Sequence, residues 1–161
     1  MSIQTGDKAP GFTLFSSDKK PVSLSDYNGK NVLLLFFPFA YTSVCTEELC
    51  IVRDQLSVYN NANAEVLGIS VDSLFVLNEF KKDEQLNFNL LSDFNKEVSE
   101  NYGVLYDIFP AFGMKGVSKR AAFLIDGEGL VQYAEVCVSP GDQPNFHKIL
   151  SKLNQLLTNA S

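Results

Sequence analysis

The sequence predicts an α/β domain in which a mixed central sheet is flanked by helices. Two observations lead to this fold class. Continuous apolar runs of strand length alternate with segments of helical spacing through the middle of the chain, and a hairpin signal occurs both near the N-terminus and before the last helix. A chain of 161 residues can bury one sizeable core but is short for two. We therefore expect residues 1–161 to form a single domain.

The first half of the chain predicts a hairpin followed by a β-α-β unit. Residues 12–15 and 21–24 alternate apolar and polar side chains, which favours two short hairpin strands. The unbroken apolar run Val32–Phe37 is typical of a strand buried on both faces. Apolar residues then recur at helical spacing from Thr46 to about Asn60, and residues 65–71 predict a second buried strand.

The second half predicts alternating elements, then another hairpin and a last helix. Asp72 or Ser73 can cap a helix that contains the apolar residues 74–80, and Gly103 can close a later short helix. The sequence Asp126-Gly127-Glu128-Gly129 is a strong hairpin-turn signal. In chain order, the elements are a helix at 74–80, a strand at 87–91, a helix at 95–102, strands at 121–125 and 130–138, and a helix at 146–156. This order fits a thioredoxin-like topology, which periodicity alone does not separate from other α/β sandwiches.

Charge and composition exclude several classes of function. The net charge of −6 provides no basic surplus for nucleic acid or anionic lipid. The first residues lack the apolar core of a secretory signal, and the most apolar run, Val32–Tyr41, has about half the length that a membrane-spanning helix needs. Three cysteines are few and odd in number for a disulfide scaffold. We therefore expect a reducing, cytoplasmic setting, with no nucleic-acid or membrane partner.

A cysteine stands where the first buried strand runs into a helix. The chain passes from the strand through Pro38 and Thr42 to Cys45, near the predicted helix start. Free N–H groups and the helix dipole stabilise a thiolate at such a position. Pro38 would stiffen the loop, and the Thr42 hydroxyl would lie beside the thiol. Spacing alone equally allows Thr42 or Ser43 to be a simple N-cap and Cys45 a small buried apolar residue.

Metal and cofactor chemistry find little support in the residue pattern. The spacing of Cys45 and Cys50 is neither a zinc hairpin nor the Cys-x-x-Cys of a disulfide oxidoreductase. His147 is the single histidine, and it cannot complete a convincing ligand set. No phosphate-binding glycine loop is present in the sequence. We expect no metal site and no cofactor.

The sequence around this cysteine resembles that of the peroxiredoxins. "PFAYTSVC" matches their Pro-x-x-x-Thr-x-x-Cys motif, and the resemblance continues through "AEVLGISVDS", "FNLLSDFNKEVSENYGV", "GVSKRAAFLIDGEGLVQYAEV" and "PGDQPNF". The chain is most similar to the bacterioferritin-comigratory-protein (PrxQ) and AhpE-like groups. The resemblance implies a thioredoxin-like fold with an N-terminal β-hairpin extension.

The resemblance also implies a role for each residue of the motif. Cys45 would be the peroxidatic cysteine, Thr42 the hydroxyl that orients peroxide, and Pro38 the loop proline. The family has an arginine at the start of a late strand, and Arg120 occupies that place; it would hold the thiolate and polarise the peroxide. From the residues alone, a solvated charge beside Lys119 at a strand edge would be the commoner role for Arg120.

The implied activity is thiol-dependent reduction of hydrogen peroxide and organic hydroperoxides. The Cys45 thiolate would attack the O–O bond and become a sulfenic acid. Backbone N–H groups of Val44 and Cys45 would help to stabilise the charge on the leaving oxygen. Glu48 matches a glutamate often present in the family and would orient the arginine or backbone groups, with an exposed first-turn carboxylate as the alternative.

A second thiol would recycle the sulfenic acid by forming a disulfide with Cys45. Cys50 has the resolving spacing of many PrxQ-like proteins, and thioredoxin or a similar thiol donor would then reduce the disulfide. On an intact helix the Cα atoms of Cys45 and Cys50 would lie about 8 to 9 Å apart, whereas a disulfide needs a Cα–Cα distance of about 4.4 to 6.8 Å. The helix would therefore have to unwind. Cys50 could instead be packing in a one-cysteine enzyme, and Cys137, expected within a strand, remains a second candidate.

The sequence allows alternatives for both the type of activity and the oligomeric state. A one-cysteine peroxide sensor, which passes oxidation to a partner protein, would use the same sulfenic acid without efficient turnover. The resembling groups include both monomers and homodimers. Three apolar loop residues near the proposed site, Phe39, Tyr41 and Phe112, could line a substrate pocket or a dimer contact.

Overall fold

A computed structural model describes residues 3–159 and has strands and helices close to those predicted. The strands are β1 (Thr13–Ser16), β2 (Pro21–Ser23), β3 (Asn31–Phe36), β4 (Ala64–Ser70), β5 (Asn89–Ser92), β6 (Ala121–Ile125) and β7 (Val131–Val136). The helices are α1 (Ser43–Asp54), α2 (Leu56–Asn61), α3 (Leu74–Asp83), α4 (Glu97–Asn101) and α5 (Phe146–Asn159), with a 3₁₀ turn at Leu24–Tyr27.

The strands form one mixed sheet with β3 near its centre. The order of the seven strands is β2-β1-β5-β4-β3-β6-β7. β3 runs parallel to β4 and antiparallel to β6. Its side chains are buried on both faces: Leu33 and Leu35 point to one core layer, and Leu34 and Phe36 to the other. The predicted mixed sheet between helices, with an N-terminal hairpin on it, is therefore confirmed.

Helices cover both faces of this sheet. One core layer contains side chains of α1, α2, α3 and α5, and the other contains side chains of α4 and of the N-terminal segment. Members of the first layer include Cys45, Leu49, Val52, Tyr59, Leu77, Phe80, Ile149 and Leu153. The cysteine of the motif thus lies in the core layer between α1 and the sheet.

The helix predicted from Thr46 to Asn60 is wrong in its bounds and its continuity. It begins at Ser43 and is interrupted at Gln55, where the backbone has φ −113° and ψ 17°. The Arg53 carbonyl, two residues before this break, accepts from the Asn87 side chain at 3.3 Å. Neither glycine nor proline marks this break in the sequence.

The second hairpin departs from the prediction at its end. β7 stops at Val136, so Cys137 lies just beyond the strand and not within it. Its N–H still donates to the Arg120 carbonyl at 2.9 Å. Because residues opposite each other on antiparallel strands face the same side, Cys137 and Arg120 lie on one face of the sheet.

Candidate active site

Cys45 lies in the first turn of α1 with its side chain fully buried. The helix has Thr42 as its N-cap, and its first hydrogen bond runs from Thr46 N–H to the Thr42 carbonyl at 2.9 Å. The N–H groups of Ser43, Val44 and Cys45 therefore precede the intrahelical ladder and face the N-terminal end. This places the sulfur beside free donors and the positive end of the helix dipole.

Arg120 reaches Cys45 from the start of β6. Its Nη2 donates to the Cys45 Sγ at 3.2 Å and to the Pro140 carbonyl at 3.0 Å. The side chain is only 2% exposed, so Arg120 is not the solvated surface charge that the sequence also allowed. Burial lowers the pKa of Arg120, but the charges of Cys45 and Glu48 outweigh burial and raise it. The guanidinium is therefore a permanent cation against the sulfur.

Glu48 holds the other side of the guanidinium. Arg120 Nη1 donates to Glu48 Oε1 at 2.7 Å, and Glu48 is fully buried, so the alternative of an exposed carboxylate is wrong. The second oxygen of Glu48 and the Nε of Arg120 have no hydrogen-bond partner among residues 3–159. Burial raises the pKa of Glu48 to about 7, against a lowering by Arg120. One carboxyl of the site therefore changes charge near neutral pH.

A pH-dependent stability follows from the burial of Glu48. The folded chain binds the Glu48 proton more tightly than the unfolded chain, so this contribution to stability is complete below pH 4.5 and is lost as pH rises to about 7. We expect the free energy of unfolding of the wild type, minus that of Glu48→Gln, to fall across this window by up to about 1.4 kcal/mol per pH unit. Denaturant titrations at several pH values measure it. A difference that rises with pH would show that Arg120 dominates the titration.

A small cavity opens beside these groups. Its volume is about 190 Å³, enough for a few water molecules. It is lined by Pro38, Thr42, Ser43, Val44, Phe109, Arg120, Pro140 and Gly141. Arg120 both lines the cavity and contacts Cys45, whose sulfur lies behind this lining. The cavity therefore has room for a small molecule beside Arg120 and Thr42.

The aromatic residues near the site differ from those expected. Phe109, which the sequence reasoning missed, lines the cavity, and the Phe39 ring packs against it with the ring centroids 5.7 Å apart. Tyr41 instead points to α3, where its hydroxyl donates to Asp83 Oδ2 at 2.7 Å. Phe112 is 92% exposed. The aromatic run around Phe109 was the available signal, but its distance from Cys45 along the chain concealed the contact.

Asp72, a predicted N-cap candidate of α3, instead stabilises the loop before α1. Asp72 was a candidate N-cap of α3, but Ser73 is the cap and accepts from the Val76 N–H. Asp72 Oδ2 accepts from the Ala40 N–H at 2.8 Å and from the Ser70 hydroxyl at 2.8 Å. Together with the buried Pro38, this contact fixes the path of the chain from β3 to Cys45.

The Thr42 hydroxyl lies at the edge of the cavity. It donates to the Phe39 carbonyl at 2.9 Å. Thr42 is the N-cap residue of α1, but its side chain accepts no hydrogen bond from a helix N–H. It therefore does not act as a simple side-chain cap. Because the hydroxyl proton is used, the oxygen of Thr42 is available as an acceptor.

The two remaining cysteines occupy different surroundings. Cys50 is half-buried on the unbroken α1, and its Sγ donates to Glu84 Oε2 at 3.5 Å. Cys137 is buried, and burial, followed by the charges of Glu135 and Glu48, raises the pKa of its thiol to about 11. All three cysteines are free thiols. Cys137 is therefore a poor nucleophile where it lies.

Comparison with known proteins identifies the family. A family model described as AhpC/TSA matches residues 5–134, which include Cys45 and Arg120. A putative peroxiredoxin bcp of Coxiella burnetii is 45% identical over 133 residues, which are 81% of this chain and 87% of that relative. Peroxiredoxin Bcp of Escherichia coli K12 is 39% identical over 132 residues, 81% of this chain and 84% of the relative.

A solved structure agrees with these relatives. Peroxidoxin BcpB from Mycobacterium tuberculosis has a TM-score of 0.84 at 28% identity, covering 96% of this chain and 98% of that one. Among the helices within residues 3–159, none has the length and apolar character to cross a membrane. The chain therefore belongs to the AhpC/TSA family and is a peroxiredoxin, a thiol-dependent peroxidase, as its proline-threonine-cysteine motif predicted.

Proposed function

We propose that the Cys45 thiolate attacks the terminal oxygen of hydrogen peroxide or an organic hydroperoxide. The O–O bond breaks, the sulfur loses two electrons and becomes a sulfenic acid, and the other oxygen leaves, takes up a proton and is released as water or an alcohol. The observation that carries this proposal is the 3.2 Å contact between Arg120 Nη2 and the Cys45 sulfur at the wall of the cavity.

Each lining group has a task in this step. Arg120 stabilises the negative sulfur and the charge that moves to the leaving oxygen, because a buried, charge-assisted donor acts most strongly where charge develops. The N–H groups of Val44 and Cys45 add donors at the helix end. The Thr42 oxygen accepts the hydrogen of the peroxide and so orients it, and Pro38 keeps the loop rigid.

Glu48 supports this step as a positioning residue. Its 2.7 Å contact holds one end of the guanidinium, so the other end stays directed at the sulfur. An arginine fork that is fixed at two acceptors loses little freedom when it binds a third group. Glu48 thereby makes the donor geometry permanent before the peroxide arrives.

We further propose that Cys50 resolves the sulfenic acid and that thioredoxin or a similar dithiol reduces the resulting disulfide. Cys50 is half-buried, whereas Cys137 is buried and its pKa is raised to about 11, which favours Cys50 as the resolving thiol. Because α1 is continuous from Ser43 to Asp54, its first turns must unwind for the disulfide to form. A reducing, cytoplasmic setting and a monomer or homodimer complete the proposal.

Turnover assays test the resolving role. We expect the wild type to consume peroxide continuously with thioredoxin, thioredoxin reductase and NADPH. Cys50→Ser should still consume one equivalent of peroxide rapidly but should lose most thioredoxin-dependent turnover, since no intramolecular disulfide is made. Equal turnover by the two proteins would remove Cys50 from the cycle. Single oxidation without turnover in the wild type would indicate a peroxide sensor that passes oxidation to a partner.

A further inference from the structure

The C-terminal end of α3 contacts the segment around the redox helix at several points. Asp83, the last residue of α3, accepts from the Tyr41 hydroxyl at 2.7 Å. The next residue, Glu84, accepts from the Cys50 thiol through its side chain at 3.5 Å and from the Arg53 guanidinium through its carbonyl. One short acidic segment therefore holds the chain both just before α1 and along its second half.

The contact at Tyr41 also stabilises an unfavourable backbone conformation. Tyr41 has φ +69°, in the left-handed region that residues with a Cβ enter at a cost of about 1 kcal/mol or more. The Tyr41 ring packs against Phe80 of α3 with the centroids 5.1 Å apart. Packing and the hydroxyl contact together keep this residue in place, immediately before the N-cap of α1.

Resolution of the sulfenic acid requires the contact of Cys50 with Glu84 to break and the start of α1, which Tyr41 holds, to unwind. When Cys50 attacks Cys45, an S–S bond forms, the S–O bond breaks, and the hydroxyl leaves with the thiol proton of Cys50 as water. Cys50 must leave Glu84 to reach the sulfur of Cys45, and the turns that follow Tyr41 must unwind. The segment that holds α1 therefore opposes the second step of the cycle.

We propose that Asp83 and Glu84 form a clamp that keeps α1 helical and Cys50 in its thiol form, and thereby sets the rate of sulfenic acid resolution. This inference rests on the proposed function of Cys50. Asp83 and Glu84 act through Tyr41 and Cys50 without touching the peroxide, so they are positioning residues and not catalytic ones.

The charges around Cys50 agree with the clamp. Burial raises the pKa of the Cys50 thiol, the hydrogen bond to Glu84 raises it further, and Asp54 adds to this, whereas Arg53 lowers it. The thiol is therefore held in its protonated, less nucleophilic form while the clamp is closed. At the other contact, the hydrogen bond to Asp83 raises the pKa of Tyr41 to about 12, so Tyr41 remains a donor.

Two substitutions open the clamp without touching the cavity. Tyr41→Phe removes the hydroxyl and keeps the ring on Phe80, and Glu84→Ala removes the acceptor for Cys50. Glu84→Gln keeps a neutral acceptor and should partly restore wild-type behaviour. Glu79→Gln is the matched control, because Glu79 is an exposed carboxylate of the same helix that pairs only with Lys82 at 3.7 Å among the salt bridges of the described residues.

The rates of the two chemical steps are measured separately by rapid quench and intact mass. We expect the rate of sulfenic acid formation to be unchanged in Tyr41→Phe and Glu84→Ala. The rate of disulfide formation should rise by about two- to tenfold, which corresponds to the net free energy of one hydrogen bond. Hydrogen exchange of the α1 amides in the reduced protein should also be faster. Glu79→Gln should match the wild type in all three measurements.

Different results separate failure of the clamp from failure of the proposed function. Unchanged amide exchange and unchanged disulfide formation in both variants would overturn the clamp. Slower disulfide formation in Glu84→Ala would also overturn it, because Glu84 would then assist Cys50 as a base. Faster exchange in both variants, with no Cys45–Cys50 disulfide even in the wild type, would support the clamp on α1 and refute the resolving role of Cys50.

Discussion

Replacement of Cys45 by serine is expected to abolish peroxide reduction, with a loss on the order of 10⁴-fold or more in the rate constant. In the proposed reaction the attacking atom is the Cys45 sulfur, and a serine hydroxyl at the same place is not ionised at neutral pH and does not form the sulfenic acid. The side chain is fully buried and of similar size in the variant, so the fold should persist. Stopped-flow or competition assays with hydrogen peroxide measure the loss.

Cys137→Ser is the control for this substitution. Cys137 is buried like Cys45 and lies on the same face of the sheet as Arg120, but its raised pKa leaves it a thiol. We expect this variant to react with peroxide at close to the wild-type rate. A comparable loss in Cys137→Ser, or substantial activity in Cys45→Ser, would show that the nucleophile has been assigned to the wrong cysteine.

Replacement of Arg120 by methionine should have the second largest effect. The substitution removes the donors to the sulfur and to the leaving oxygen, and the loss of one such preorganised group costs about 10²- to 10³-fold in rate. The same change leaves Glu48 buried without its partner. Because burial already raises the pKa of Glu48 to about 7, the carboxyl should protonate when the cation is removed. We therefore expect a stability loss of about 1 to 3 kcal/mol, the cost of unsatisfied buried groups, and not the larger cost of a buried charge.

A double substitution separates the two roles of Arg120. Arg120→Met combined with Glu48→Met replaces both partners of the buried pair by apolar side chains and should recover much of the free energy of unfolding, but none of the rate. Arg120→Lys should be intermediate in rate, because one ammonium group cannot reach Glu48, Cys45 and the Pro140 carbonyl together. If the double variant regained activity with its stability, Arg120 would be a structural residue only.

Local patterns in the sequence predicted most of the fold. The run around Val32 forms a central strand of the sheet and is therefore buried on both faces. An unbroken apolar run is the pattern that predicts such a strand. The break at Gln55 was missed because neither glycine nor proline marks it in the sequence. The start of α1 was placed too late, since the apolar repeat on which the helix was predicted begins only at Leu49.

The site was predicted unevenly for a similar reason. Thr42 and Cys45 are close in sequence, so a motif could indicate them, whereas Arg120 was found only through resemblance to a family. Phe109 reaches the cavity and the Pro140 carbonyl reaches Arg120 through the fold of the late loops, and their distance from Cys45 along the chain concealed both contacts. Contacts between segments that are distant in sequence are determined by the tertiary fold, and a local sequence pattern does not specify them.

Peptide mapping after one equivalent of hydrogen peroxide, with dimedone present to trap a sulfenic acid, tests most directly whether Cys45 is the peroxide-reactive thiol. We expect rapid oxidation confined at first to Cys45, recovered as a dimedone adduct or as a disulfide with Cys50. The same experiment on Arg120→Met should show slow oxidation of Cys45. Rapid oxidation of Cys50 or Cys137 while Cys45 stays reduced would contradict the assignment of Cys45, held by Arg120, as the peroxide-reactive thiol.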